Sequence, residues 1–270
     1  MKRIISLSLV TTAVILSASE VNTLDTISVI EESNSQIVKD VSDEQLKSAD
    51  LAEALSKNVP SISIVRRSGI ANDIILRGQK KDNINILLDD AKVHGACPNR
   101  MDPPTSHVLT NNIESVKVIE GPYDVENFGT LSGLVKVETK EPTKDVHGEV
   151  NLNAGSYGYR KASATVSGGT DKLKLLVSTS TEQSDQYKDG NGDTFYEQQV
   201  KKGITTARYS DEEQKAYEKK TLLTKGQYNI TDDSELKLSY TANRSDNVLY
   251  PAGSMDADYD DSNIYTVGYT

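Results

Sequence analysis

The sequence predicts an exported α+β domain followed by the first strands of an antiparallel transmembrane β-barrel. Three observations lead there. The chain opens like an export signal. Short apolar runs broken by glycines then fill about 100 residues, enough for one core. Beyond residue 147 the texture changes to long alternating strands, and of the 13 tyrosines all but Tyr123 lie in that second region.

Lys2 and Arg3 precede an apolar run from Ile4 to Leu16 and the small residues Ser17, Ala18 and Ser19. A basic start, a short apolar core and a small-residue exit make a cleaved secretory signal, placed at residues 1–19. The run is too short for a spanning helix, which needs about 20 residues. The net charge of −10 argues against nucleic acid as a partner, which calls for basic patches. Cys97 is the sole cysteine, so no intrachain disulfide forms. A lone thiol in an oxidising compartment is a liability unless it is buried or used.

Residues 20–39 read as a polar tail containing one β-prone run, Asp25-Thr26-Ile27-Ser28-Val29-Ile30. Such a run can add to a partner's free sheet edge. The α+β domain is assigned to residues 40–143. Ala49 to Lys57 predicts a helix with Leu51, Ala52 and Leu55 on one face and Ser48 as its cap. Strands are predicted at 62–65, 74–76, 84–88, 116–119 and 134–137, with Gly69, Gly78, Gly95, Gly121 and Gly129 in the turns between them.

Residues 147–270 alternate. Val150, Leu152 and Ala154 interleave with Glu149, Asn151 and Asn153. The same pattern returns at Ala162–Val166, Leu173–Val177, Leu222–Ile230, Leu236–Tyr240 and Tyr265–Tyr269. Tight turns at 168–171 and 231–234 contrast with long polar stretches at about 186–216 and 243–263, the uneven looping of outer-membrane barrels. At about 9–11 residues per strand this region holds about six. An open sheet edge in lipid leaves backbone groups unsatisfied, so the sequence is expected to be a truncated portion unable to form a pore by itself.

Several motifs resemble, in order, those of the TonB-dependent outer-membrane receptors. Asp25, Thr26, Ile27, Ser28 and Val29 look like the TonB box (25–31). Val59-Pro60-Ser61-Ile62, Ile75-Leu76-Arg77-Gly78, Ile86 to Asp90, Ile113 to Val116, Ile119-Glu120-Gly121-Pro122 and Gly129 to Lys140 follow the family's plug pattern. Gly155-Ser156-Tyr157-Gly158 looks like the first barrel hairpin. The resemblance implies an α+β plug domain inside a 22-stranded barrel, of which this chain holds an incomplete part. It also implies residence in outer-membrane lipid and energy from the inner-membrane TonB complex acting through the box. Arg77 and Glu120 are assigned to plug–barrel contact.

The stretch from His94 to Pro104 carries the ligand reading. Cys97 and Met101 are four apart, so one helical turn would bring both sulfurs to one face. Thiolate and thioether are soft donors that select Cu(I), whereas iron chelates call for oxygen- or aromatic-rich pockets. Pro98, Pro103 and Pro104 stiffen the loop and lower the cost of ordering it around a metal. The stretch resembles the copper-receptor branch of the family, which binds copper through a Cys-x-x-x-Met pair and completes the site with a His-x-Met pair on a barrel loop. No His-x-Met pair occurs in these residues. Met255 is the remaining methionine able to contribute, and His94 and His107 flank the pair.

The plain alternative is that Cys97 is a small buried apolar residue and Met101 a gap filler. Other readings are a siderophore or haem receptor, a soluble metal-binding plug module, and a truncated, non-transporting product. An enzyme is not expected, because no nucleophile–base pattern, phosphate-cradling glycine loop or clustered His/carboxylate spacing occurs.

Overall fold

The computed structural model describes residues 35–39, 50–121, 126–127, 131–204, 209–210, 212–251, 253 and 255–270, with side chains from residue 50 onward. The expected signal (1–19) and the TonB-box run (25–31) lie outside the described residues.

Among the described residues, two small sheets and one α-helix form the first domain. Helix α1 (Leu51–Asn58) buries Leu51, Ala52, Ala54 and Leu55. Its cap is Asp50 and not the predicted Ser48. One Asp50 oxygen accepts from Ala52 N (2.9 Å) and the other from Asn72 N (2.8 Å). The choice is tertiary, because Asp50 also anchors a loop 22 residues away. Strands β2 (Ile62–Val65), β3 (Asp73–Leu76) and β4 (Gln79–Lys80) make an antiparallel meander. The larger sheet has the order β1-β7-β8-β5-β6, built from β1 (Ser35–Lys39), β5 (Ile84–Leu88), β6 (Ala91–Lys92), β7 (Ile113–Glu120) and β8 (Gly133–Thr139). Only its β5–β8 pairing is parallel.

Strand β1 lies inside the segment read as tail. Its five residues pair with β7 from Ser35↔Ile119 to Lys39↔Ser115, so the sheet begins earlier than residue 40. A five-residue edge strand with two apolar residues gives no alternation strong enough to read. The core is common to helix and sheets: Leu51, Leu55, Ile74, Leu76, Ile86, Val116, Val118, Val135 and Val137 form one buried cluster.

Asp50 links this core to pH. Burial raises its carboxyl from the ordinary 3.8 to about 6, against the lowering effect of the Ala52 and Asn72 amides. Between about pH 4 and 6 the native state therefore holds a proton that the unfolded chain has released. Stability should fall as pH rises through that window and level off above it. Asp50→Asn should flatten the slope in urea titrations across it. Asp50→Ala should cost about 1–3 kcal/mol for each orphaned buried amide.

The second region is a six-stranded antiparallel sheet in the order β14-β13-β12-β11-β10-β9. Its strands are β9 (His147–Ala154), β10 (Arg160–Gly169), β11 (Leu173–Asp185), β12 (Lys215–Thr231), β13 (Ser234–Val248) and β14 (Ala257–Tyr269). Its two faces are inverted relative to a soluble sheet. Leu152, Val166, Leu175, Leu238, Tyr265 and Val267 are exposed, while Ser163, Ser178, Glu182, Lys219, Lys225 and Asn243 are buried. An outward apolar face with a polar inner face is the pattern of a barrel wall meeting lipid. Among the described residues no helix is long and apolar enough to cross a membrane; the apolar surface is carried by strands.

The predicted tight turns are present between β10 and β11 and between β12 and β13. The second long stretch is shorter than expected. β13 continues to Val248 and β14 starts at Ala257, so the connection is 249–256 rather than 243–263. Polar strand ends that pair beyond the apolar band read as loop in sequence. The first long connection holds a helix the sequence reading missed, α2 (Phe195–Lys201), closed by a capping box between Thr194 and Glu197.

Candidate metal centre

After β6 the chain turns back on itself through Val93–Pro103, held by one side chain. Asp102 accepts the amide of Ala96 (2.5 Å) on one oxygen and that of Cys97 (2.8 Å) on the other. Arg100 N donates to Cys97 O (2.8 Å), and Arg100 sits at φ +58°. Residues 97–101 therefore make a tight turn and not the helical turn that would have set the two sulfurs on one face. The left-handed residue stops any helix, and two carboxylate-bound amides take the place of helical hydrogen bonds.

The loop is anchored on three sides. The Arg100 guanidinium is nearly buried and pairs with Asp82. Thr105 Oγ1 donates to Asn72 O (2.7 Å) in the interior. Pro104 opens a short 3₁₀ turn, Pro104–His107, whose Ser106 N donates to Pro103 O (2.8 Å). Gly95 is required by space, since a Cβ there would stand 2.2 Å from the Asp102 carbonyl oxygen.

Of the residues proposed as ligands, Met101 and Met255 come together. Both line a pocket of about 240 Å³ with Val65, Arg66, Arg67 and Tyr250. Tyr250 belongs to the β13–β14 connection, and its hydroxyl donates to the Met101 carbonyl. Burial first, then the acidic groups of Asp260, Asp102 and Cys97, push its phenol up. Cys97 is a free, half-buried thiol and is not among the residues lining that pocket. Met101 also packs against a cluster of Ile70, Ala71, Tyr217, Val248 and Tyr250, so gap filling is part of its role. His94 is exposed.

His107 is buried instead. Burial is the largest influence on its imidazole and lowers its pKa, with Lys219 acting the same way and Asp260 and Asp102 opposing. Its Nε2 lies 4.0 Å from Asp102 Oδ2.

Three lysines that sequence reasoning did not single out also reach between the first domain and the six-stranded sheet. Lys219 Nζ donates to Ser106 O (2.9 Å). Lys225 Nζ reaches Asp89 Oδ2 (3.1 Å), Glu141 Oε1 (2.9 Å) and Thr139 O (3.2 Å). Lys161 Nζ meets Thr110 Oγ1 (3.1 Å) and Glu182 Oε2 (3.3 Å). Arg77 is exposed in the β3–β4 turn at φ +52°, and Glu120 is half-buried at the end of β7. The available signal was a lysine on the inward phase of an otherwise Ser/Thr-lined strand face. Asp89-Asp90 follows β5 in a two-residue turn with φ +47° and +66°.

The family model described as "TonB-dependent Receptor Plug Domain" matches residues 20–133. Among solved structures, the chain is similar to the copper transporter OprC (TM-score 0.73, 23% identity, covering 87% of this chain and 34% of that one). It is also similar to the siderophore receptor PirA from Acinetobacter baumannii (TM-score 0.65, 17% identity, 89% and 38% covered). A third likeness is to the FrpB iron transporter from Neisseria meningitidis, F3-3 variant (TM-score 0.58, 21% identity, 77% and 31% covered). The chain thus spans about a third of the length of these structures. No curated protein sequence matches it.

Proposed function

We propose that this chain is part of an outer-membrane receptor for uptake of a metal, and that the metal is copper; the match of residues 20–133 to the TonB-dependent receptor plug model supports the receptor reading. The observation that carries the copper reading is the convergence of Met101, from the plug, and Met255, from the β13–β14 connection, on one pocket. The Cys97 thiol sits on the same Asp102-tied turn that presents Met101. Soft sulfur donors favour Cu(I) over the harder ions. A loop already shaped by carboxylate–amide bonds has little ordering cost left at binding.

Coupling through Asp25, Thr26, Ile27, Ser28 and Val29 to TonB, and contact of Arg77 and Glu120 with the barrel, belong to the same proposal. The exposed apolar side chains of β9–β14 supply the surface that outer-membrane lipid would cover.

A second reading has one specific observation in its favour. Arg66 and Arg67 line the same pocket as the two methionines, and guanidinium groups favour an anionic metal chelate, such as a ferric siderophore, over a bare cation. The full chain in detergent, dialysed in parallel against Cu(I) with a competing chelator and against a ferric siderophore, separates the two. Stoichiometric retention of Cu(I) without the ferric complex is expected. Retention of the ferric complex alone would replace copper with a chelate as the cargo.

A further inference from the structure

A second group of potential ligands lies beside the sulfur loop and is built from different chemistry. Asp102 and His107 come from the plug and Asp260 from β14, and one ligand atom from each lies within 4.8 Å of the others. We propose that these three residues bind a divalent cation of intermediate hardness, of the Zn(II) class, bridging plug and barrel strand.

Three features support it. His107 is 5% exposed and its Nδ1 has no hydrogen-bond partner, so no protein group at Nδ1 fixes the tautomer or competes for that nitrogen's lone pair. A buried polar atom left unmade costs about 1–3 kcal/mol, a cost that ligation through Nδ1 would remove; Nε2 stands 4.0 Å from Asp102 Oδ2. Two carboxylates and an imidazole are a donor set of the hardness that this class of ion takes.

Geometry asks for a closure. Tetrahedral bonds of about 2.0–2.2 Å place ligand atoms on one ion about 3.4 Å apart, so side-chain rotation has to close the widest present spacing of 4.8 Å by about 1.4 Å. Asp102 can take part while holding Ala96 and Cys97, because each carboxylate oxygen has a further lone pair. Lys219 is the nearby opposing charge, and its ammonium is engaged by the Ser106 carbonyl. The donor set differs from the sulfur pair in hardness, so the two sites should select different ions. A cation here would tie the loop carrying Met101 to the strand that follows Met255.

The test uses the full chain in detergent with both sulfurs removed, Cys97→Ser/Met101→Leu, dialysed against Zn(II). Stoichiometric binding is expected in that background, weakened about 100-fold by His107→Gln and by Asp260→Asn. Asp102 is left intact because it also shapes the loop. Asp260 is half-buried on a strand, so its isosteric variant keeps the question open if His107→Gln fails to fold. Absence of stoichiometric Zn(II), or binding that Asp260→Asn leaves unchanged, would overturn the proposal. Cu(I) titrations on the Asp260→Asn chain with both sulfurs present keep this result distinct from the copper reading, which predicts unaltered Cu(I) uptake there.

Discussion

Lys161→Met should destabilise the folded chain by about 3–5 kcal/mol, the range for stripping one partner from a buried ion pair. Lys161 and Glu182 are direct cross-strand partners on β10 and β11, with side chains 9% and 3% exposed. Glu182 Oε2 accepts no hydrogen bond even though Lys161 Nζ is 3.3 Å away, so its charge depends on neighbouring cations for compensation. Lys219 faces the same residue from β12 and should hold the loss toward the lower end. Removing both charges, Lys161→Met with Glu182→Leu, should recover most of the stability, since no uncompensated carboxylate remains. Urea unfolding of the single and double variants in detergent measures the coupling. Equal destabilisation by both would mean that packing, and not charge, holds this part of the plug to the sheet. The pair spans more than two strands, because Lys161 also donates to Thr110 of the plug.

Gly95→Ala should weaken Cu(I) binding by about tenfold or more, equivalent to about 1.4 kcal/mol. The new Cβ would meet the Asp102 carbonyl oxygen at 2.2 Å and its Oδ1 at 3.2 Å. The close atom is backbone, so the loop itself has to move. The carboxylate grip on the Ala96 and Cys97 amides then loosens, and the turn presenting Cys97 and Met101 loses its shape. Gly190→Ala, where nothing lies within 4 Å of the added carbon, is the control. Competition titrations of both variants check the claim; equal affinity would mean the loop's shape does not matter to the metal.

Much of the fold was legible because burial imposes a period. Ile74, Ile86, Val116 and Val135 stood out as short apolar runs between glycines, and each lies in a strand. The alternation of Leu173, Leu175 and Val177 marked a strand that carries an exposed apolar face. What failed depended on partners distant in sequence. Asp50 displaced Ser48 as the cap because it also binds Asn72. Strand β1 exists through its pairing with β7. The polar ends of β13 and β14 pair from Ala242↔Asn263 to Asp246↔Tyr259 but carry no apolar period.

The site divides the same way. Cys97 and Met101 were visible as a local soft pair, whereas the shared pocket of Met101 and Met255 depends on packing of the β13–β14 connection against the plug. Helix α2 was the avoidable omission, since Thr194 and Glu197 have the spacing of a capping box. Lys161, Lys219 and Lys225, which point inward from the sheet, read in sequence only as hydrophilic positions, because what they meet is distant in the chain.

On the proposed function, the sulfurs of this loop hold copper. Titrating the full chain with Cu(I) against a competing chelator, beside Cys97→Ser, Met101→Leu and Met255→Leu, tests it most directly. The copper reading predicts stoichiometric binding in the parent, loss in Cys97→Ser and in Met101→Leu, and a smaller weakening in Met255→Leu. No binding in the parent, or binding indifferent to Cys97 and Met101, would contradict it.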